Sequence, residues 1–247
     1  MEKIRVGIVN YLNTKPLLLG LRQLNSEGLI ELTEEYPALV AEKLIRREID
    51  LGLVPVAILP LIPDFSIIGS YCIATNNQVG SVCLFSEQPL ENIQEVVLDY
   101  QSRTSVQLVQ VLFRHHWKKE VKFVAATDEG YLQKIKGTTA GVIIGDRALL
   151  AQSHFAYCYD LGEAWKSFTG LPFVFAIWAS IIPLTQEFIN RFDEANGLGF
   201  SNLKDVVAAN QSATSYDLYH YFTKNIDYRL TPQKEEAIQL FLRLLTI

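Results

Sequence analysis

Short runs rich in Val and Ile, bounded by Gly, Pro or Asn, alternate along this chain with amphipathic helical patterns. That alternation is the pattern of βα units, which predicts mostly parallel sheets carrying helices on their faces. Residues 4–9 read as the first strand, 38–48 as a helix with apolar residues at 41, 44 and 45, and 50–54 as the next strand. Pro55, Pro60 and Pro63 then interrupt the series, and two longer strands, 66–74 and 81–85, flank a polar turn at 75–80. A second series runs through 96–98, a helix at 104–117, and strands at 121–125, 141–144, 156–159 and 173–177. Helical patterns return at 185–193, 215–223 and 231–245, the last with Thr231 as cap, Pro232 at the first helical position and Ala237, Leu240, Phe241 and Leu244 on one face. A chain that leaves one series, completes another and comes back predicts two α/β lobes around a ligand cleft, residues 1–82 with 178–247 and an inserted 83–177. Its 247 residues suffice for two modest cores.

Composition narrows the partners. Hydrophobic residues make up 49% of the chain and charged residues 20%, the balance of an ordered globular protein. The formal net charge of -5 comes without a long Lys/Arg block, so neither nucleic acid nor a membrane surface is expected as a partner. A small anion would have to be held by local donors such as the N–H groups of a helix start. Residues 65–86 are uncharged but contain Asn76, Asn77 and Gln78, too polar a stretch to cross a membrane. Met1-Glu2-Lys3-Ile4 leads into a strand with no secretory features, so a cytoplasmic location is expected. Cys72, Cys83 and Cys158 read as buried thiols without metal-type spacing, and His115, His116, His154 and His220 form no zinc pair. No metal is implied.

Ligands of open α/β sheets sit beyond the carboxyl ends of strands, which selects the residues to weigh. After the first strand come Asn10, Tyr11, Asn13 and Thr14, neutral donors and acceptors ahead of Pro16 in the first turn of a helix. Asn13 or Thr14 suits the cap of that helix, which does not need both. Gly80-Ser81-Val82 opens the crossing strand, where Ser81 either faces the cleft or finishes a turn. Asp99-Tyr100-Gln101-Ser102-Arg103-Thr104-Ser105 leads from a strand end into a helix, offering N–H groups, hydroxyls and a guanidinium to a carboxylate. Thr104 and Gln107 also fit a capping box, and Arg103 also suits a bridge to Asp99. Gly145-Asp146-Arg147 ends another strand, with Asp146 suited to cap a helix. Glu163, Trp165 and Lys166 read as surface or lid residues, and His115-His116 as a structural helix end. No nucleophile–base pair, phosphate loop or dinucleotide fingerprint stands at a strand end, so these residues give a cleft and no reaction.

Five segments supply the chemistry. They are Val9-Asn10-Tyr11-Leu12-Asn13-Thr14-Lys15-Pro16-Leu17, then Gly80-Ser81-Val82-Cys83-Leu84-Phe85-Ser86, then Ser102-Arg103-Thr104-Ser105-Val106. Ile144-Gly145-Asp146-Arg147-Ala148-Leu149 follows, and last Asp160-Leu161-Gly162-Glu163-Ala164-Trp165 with Thr169-Gly170-Leu171-Pro172-Phe173-Val174-Phe175. In this order they resemble the chorismate dehydratases of the futalosine route to menaquinone, and not the sister enzymes that make dihydroxynaphthoate later in that route. The resemblance implies a type II periplasmic-binding-protein-like fold and loss of water from chorismate, a small dianion, to give 3-[(1-carboxyvinyl)oxy]benzoate. It also implies that no cofactor takes part.

By motif position the resemblance makes Asn13 and Ser81 the catalytic residues nearest the reacting ring. Tyr11, Thr14, Val82, Ser102, Arg103, Thr104 and Ser105 would contact the substrate, with Thr14 and the helix start at 102–105 holding carboxylates. Gly145 and Asp146 would complete the far wall. Because an amide does not usefully accept a proton, Asn13 is expected to orient, and the base to be a carboxylate of the substrate itself, with Asp146 as the alternative. The rival class is a non-catalytic cytosolic binder of a small carboxylate, since such folds capture solutes as readily as they catalyse, and the sister dihydroxynaphthoate synthase is the second alternative.

Overall fold

A computed structural model of the chain describes residues 3–245, so the start read at Met1 and Glu2 lies outside the described residues. The chain runs through β1 (Ile4–Val9), α1 (Lys15–Ser26), β2 (Ile30–Glu35), α2 (Pro37–Ile45), β3 (Leu51–Pro55) and β4 (Ser66–Thr75). It then crosses to β5 (Val82–Ser86), β6 (Glu95–Leu98), α3 (Thr104–Val111), β7 (Lys122–Ala125), β8 (Thr139–Ile144), α4 (Asp146–Ala151), β9 (Tyr157–Asp160) and α5 (Leu161–Thr169). It returns through β10 (Phe173–Ser180), α6 (Gln186–Ser201), α7 (Leu203–Asn210), the single turn α8 (Leu218–His220), β11 (Asp227–Arg229) and α9 (Pro232–Leu245).

Two sheets result, one ordered β11-β4-β10-β3-β1-β2 and the other β7-β6-β8-β5-β9. The expected parallel pairing holds only at one end of each, where β1 pairs with β2 and β3, and β6 with β7 and β8. The strands that carry the chain between lobes, β4, β5, β9 and β10, pair antiparallel, so both sheets are mixed. The expected return near residue 178 also shifts. All of β10 pairs within the first sheet, against β3 and β4, which puts the return between Asp160 and Phe173. Its eight residues are buried on both faces, as a central strand requires.

Burial explains the elements that patterning misses. Strand β2 is an edge whose sequence carries Glu31, Glu34 and Glu35 and buries only Ile30, and β11 spans three residues. The helix expected over 104–117 is α-helical only to Val111 and widens into a π-helical turn, Leu112–His116. Helices α1 and α6 pack closely because Gly199 has no side chain; a Cβ there would collide with the Pro16 carbonyl. Trp165, expected at the surface, is wholly buried, its ring edge-on to Phe173 at 5.1 Å and to Phe241 of α9 at 6.0 Å. Cys72 and Cys83 are buried as expected, whereas Cys158 is exposed on β9.

Both crossings meet at Asp160. One of its carboxylate oxygens accepts the Val79 and Gly80 N–H groups at 3.0 and 2.7 Å, and the other accepts those of Gly162 and Glu163 at 2.9 and 3.1 Å. A single side chain therefore caps α5 and fixes the loop that delivers Ser81. Among the described residues no helix is long and apolar enough to cross a membrane.

Candidate functional site

The carboxyl ends of β1 and β3, the crossing loop, the corner after β8 and the start of α3 converge on one cleft. Val9, Pro55, Ile73 and Phe175 make its first-lobe wall apolar. Asn13, Ser81, Ser102, Thr104 and Ser105 add neutral polar groups, and Arg103 is the one charged side chain in the lining among the described residues. No carboxylate, imidazole or ammonium lines it. Such a cleft suits a small ring bearing anionic and hydroxyl substituents, with apolar contact across the ring and a few fixed polar contacts at its edge.

Asn13 carries the plainest signal. Its main chain is braced from behind, with the Tyr228 hydroxyl donating to the Asn13 carbonyl at 2.8 Å. Its carboxamide oxygen is buried and, among the described residues, accepts from nothing. Buried acceptors are rarely left without a partner, and this one has capacity for an O–H or N–H from outside the protein. Ser81, in the same lining, is fully buried, its Oγ 2.6 Å from the hydroxyl of Tyr221.

The start of α3 differs in detail from the expected box. The Ser102 hydroxyl, not that of Thr104, accepts a first-turn N–H, from Ser105 at 3.0 Å. The Thr104 hydroxyl turns across the lobes, donating to Phe175 O at 3.0 Å and accepting from Ala57 N at 3.3 Å. Arg103 makes no bridge to Asp99; its Nη1 donates to the carbonyls of Tyr100 and Ser102 at 3.3 and 3.1 Å, folding the guanidinium back over the turn at the rim. Helix start and guanidinium lie together, the pairing expected of a carboxylate site.

Three further residues depart from expectation. Thr14 does not line the cleft; its hydroxyl is buried within bonding distance of Val9 O (2.6 Å) and Tyr11 O (2.8 Å), which fixes the loop carrying Asn13. It stands at the start of α1 without a capping side-chain bond. Asp146 does not line the cleft either, and the residue at the cap of α4 is Gly145. The Asp146 carboxylate instead accepts the Leu12 N–H at 2.9 Å, tying the first lobe to the second. Burial pushes this carboxyl above its ordinary value, while the Leu12 N–H and Lys15 pull it back.

Tyr11 and Val82 do line the cleft, as does Gly145. Tyr11 donates to Gln101 Oε1 at 2.5 Å across the lobes, and burial, reinforced by Asp99, raises its phenol well above the ordinary value, so it is a fixed donor. Behind it the Arg147 Nη2 donates to the same Gln101 oxygen at 2.9 Å and to Asp99 at 2.7 Å, a network that sequence reading assigned instead to Arg103.

At Gly145 the two lobes approach closely. Its φ of 65° and ψ of -147° fall in backbone space that only glycine populates readily, and a Cβ would lie 2.8–2.9 Å from three ring carbons of Tyr11. Gly145→Ala is therefore expected to cost about 1–3 kcal/mol from backbone strain alone. Because Tyr11 is pinned by Gln101, the clash also parts the cleft walls. A thermal melt together with calorimetric titration of a cleft ligand checks this; an unchanged melt and unchanged affinity would rule out the close lobe contact.

Comparison with known proteins follows the same lines. The family model for menaquinone biosynthesis matches residues 4–246. The chorismate dehydratase of Thermus thermophilus is 26% identical over 274 residues, covering 98% of this chain and 94% of that protein. Among solved structures, protein AF1704 of Archaeoglobus fulgidus superposes with a TM-score of 0.76 at 12% identity, covering 99% of this chain and 97% of that one. The CA3427 gene product of Candida albicans, described as having the generic periplasmic binding protein fold, gives 0.66 at 11% identity, covering 100% and 90%. The two α/β lobes thus have the periplasmic-binding-protein-like arrangement, a likeness of fold alone at these identities.

Proposed function

This chain belongs to the menaquinone-biosynthesis family, and from that premise we propose that it dehydrates chorismate to 3-[(1-carboxyvinyl)oxy]benzoate in the futalosine route. The observation that carries the reading is the buried carboxamide oxygen of Asn13, without a described protein partner, in a cleft whose described lining holds no carboxylate, imidazole or ammonium group. The similarity to a relative named chorismate dehydratase supports the same substrate.

In this reading the apolar wall takes the ring, and the start of α3 with Arg103 takes a carboxylate. The departing ring hydroxyl donates to Asn13 Oδ1 and accepts from the Ser81 hydroxyl. Neither residue can remove a carbon-bound proton at neutral pH, since Asn13 is an amide and Ser81 has no basic partner. The substrate's own carboxylate takes the ring proton and passes it to the leaving oxygen, so that one water departs and the ring becomes aromatic. Asp146, engaged by Leu12 N–H, is the less suited base. The protein then contributes orientation and fixed dipoles.

Incubating the purified chain with chorismate and following the aromatic product by absorbance and mass tests the proposal. Stoichiometric conversion with loss of one water is expected. Recovery of bound but unchanged chorismate would make the chain a carboxylate binder.

A further inference from the structure

One C-terminal segment reaches both candidate catalytic residues from behind. After α8 the chain widens into a π-helical turn, Tyr221–Asn225, and enters β11. Tyr221 approaches Ser81 Oγ at 2.6 Å, Asn225 Nδ2 donates to Gln78 O at 3.2 Å, and Tyr228 donates to Asn13 O at 2.8 Å. Tyr221 and Ser81 are both fully buried, and 140 residues separate them. Widened helical turns of this kind recur at functional sites.

We propose that Tyr221 is a positioning residue that donates its phenolic proton to Ser81 Oγ and so leaves the Ser81 hydroxyl proton free to point into the cleft. Two hydroxyls share this one hydrogen bond, so only one proton is used in it. A phenol is the stronger donor and poorer acceptor of the two. Burial also raises the Tyr221 phenol far above its ordinary value, so it keeps its proton at any pH of use. With one Ser81 lone pair occupied, the serine has a fixed direction and donates toward the departing oxygen. Without Tyr221 the serine turns its own proton away from the cleft as readily as into it.

This rests on the dehydratase reading, and the test separates the two. Chorismate turnover is measured for the unsubstituted chain, Tyr221→Phe, Ser81→Ala and the double variant. Tyr221→Phe is expected to lower kcat by about 10- to 100-fold with little change in KM, the scale of effect of a misplaced reacting group. In the Ser81→Ala background the same change is expected to have no further effect, since Tyr221 acts only through Ser81. Equal losses in both backgrounds would overturn the proposal. In parallel, the slowly exchanging Tyr221 hydroxyl proton is observed by NMR in the unsubstituted chain and in Ser81→Ala. It is expected far downfield in the first and shifted in the second. An unmoved signal overturns the bond direction even if Tyr221→Phe fails to fold. If the unsubstituted chain leaves chorismate intact, the dehydratase reading fails and the NMR comparison alone decides the role of Tyr221.

Discussion

Asn13→Ala is expected to lower chorismate turnover by about 100- to 1,000-fold while leaving the folded state as stable as before, the usual scale for losing one preorganised group that meets the reacting atoms. The two halves of that result come from one atom. The carboxamide oxygen is buried and accepts from no described protein group, so removing it breaks no intramolecular hydrogen bond. The Asn13 main chain stays held by Tyr228, so the loop keeps its course. A residue present only for structure behaves the opposite way, losing stability with little effect on turnover. Parallel melts and kcat/KM measurements on the single variant therefore separate the roles. A loss of more than about 2 kcal/mol with near-full turnover would place Asn13 among structural residues.

How far the sequence foretold this site depended on whether the deciding contact was local. The strand at 4–9, the strand ends that line the cleft, and Asn13, Ser81 and Gly145 on its walls were legible, because strand-end position and Gly, Asn or Ser chemistry are read within a few residues. Partner choice was not. Asp99 and Arg103 are four apart in sequence and invited pairing, yet β6 and β8 are neighbours in the sheet, and that brings Arg147, just past β8, to Asp99 instead. Thr104 matched a capping box, but its hydroxyl finds better partners in Phe175 O and Ala57 N across the lobes. Trp165 lies between Glu163 and Lys166, a context that conceals a ring at the centre of the aromatic cluster behind the crossings. Tyr221 and Tyr228 gave no local signal at all. Their roles exist only because the C-terminal segment returns to the first lobe and passes behind Ser81 and Asn13.

The largest stability effect is expected at Asp99, which touches no ligand. Its side chain is wholly buried, and it receives Arg147 Nη2 at 2.7 Å, Tyr131 OH at 3.0 Å, Ile144 N at 3.2 Å and Gln101 N at 3.0 Å. Burial works against charge on Arg147, and Asp99 with Tyr131 more than offsets it, holding the guanidinium firmly protonated. Asp99→Ala takes the main counter-charge from that cation, leaving it the Glu129 carboxylate 3.8 Å from Nη1, and loss of one partner of a buried pair costs up to about 3–5 kcal/mol. For a chain of 247 residues this is a fall of roughly 10 °C in Tm. Arg147→Met added to Asp99→Ala is expected to restore part of the loss, because the stranded charge, more than the missing bond, carries the penalty. Raising salt should change little, since the Asp99 side chain is wholly buried and that of Arg147 only 20% exposed. Activity should fall along with stability, because Arg147 also holds the Gln101 oxygen that receives the Tyr11 hydroxyl, and Tyr11 is a wall of the cleft. A cost below about 1 kcal/mol, or no recovery in the double variant, would mean that the corner between β6 and β8 is held by its backbone contacts and not by this buried charge.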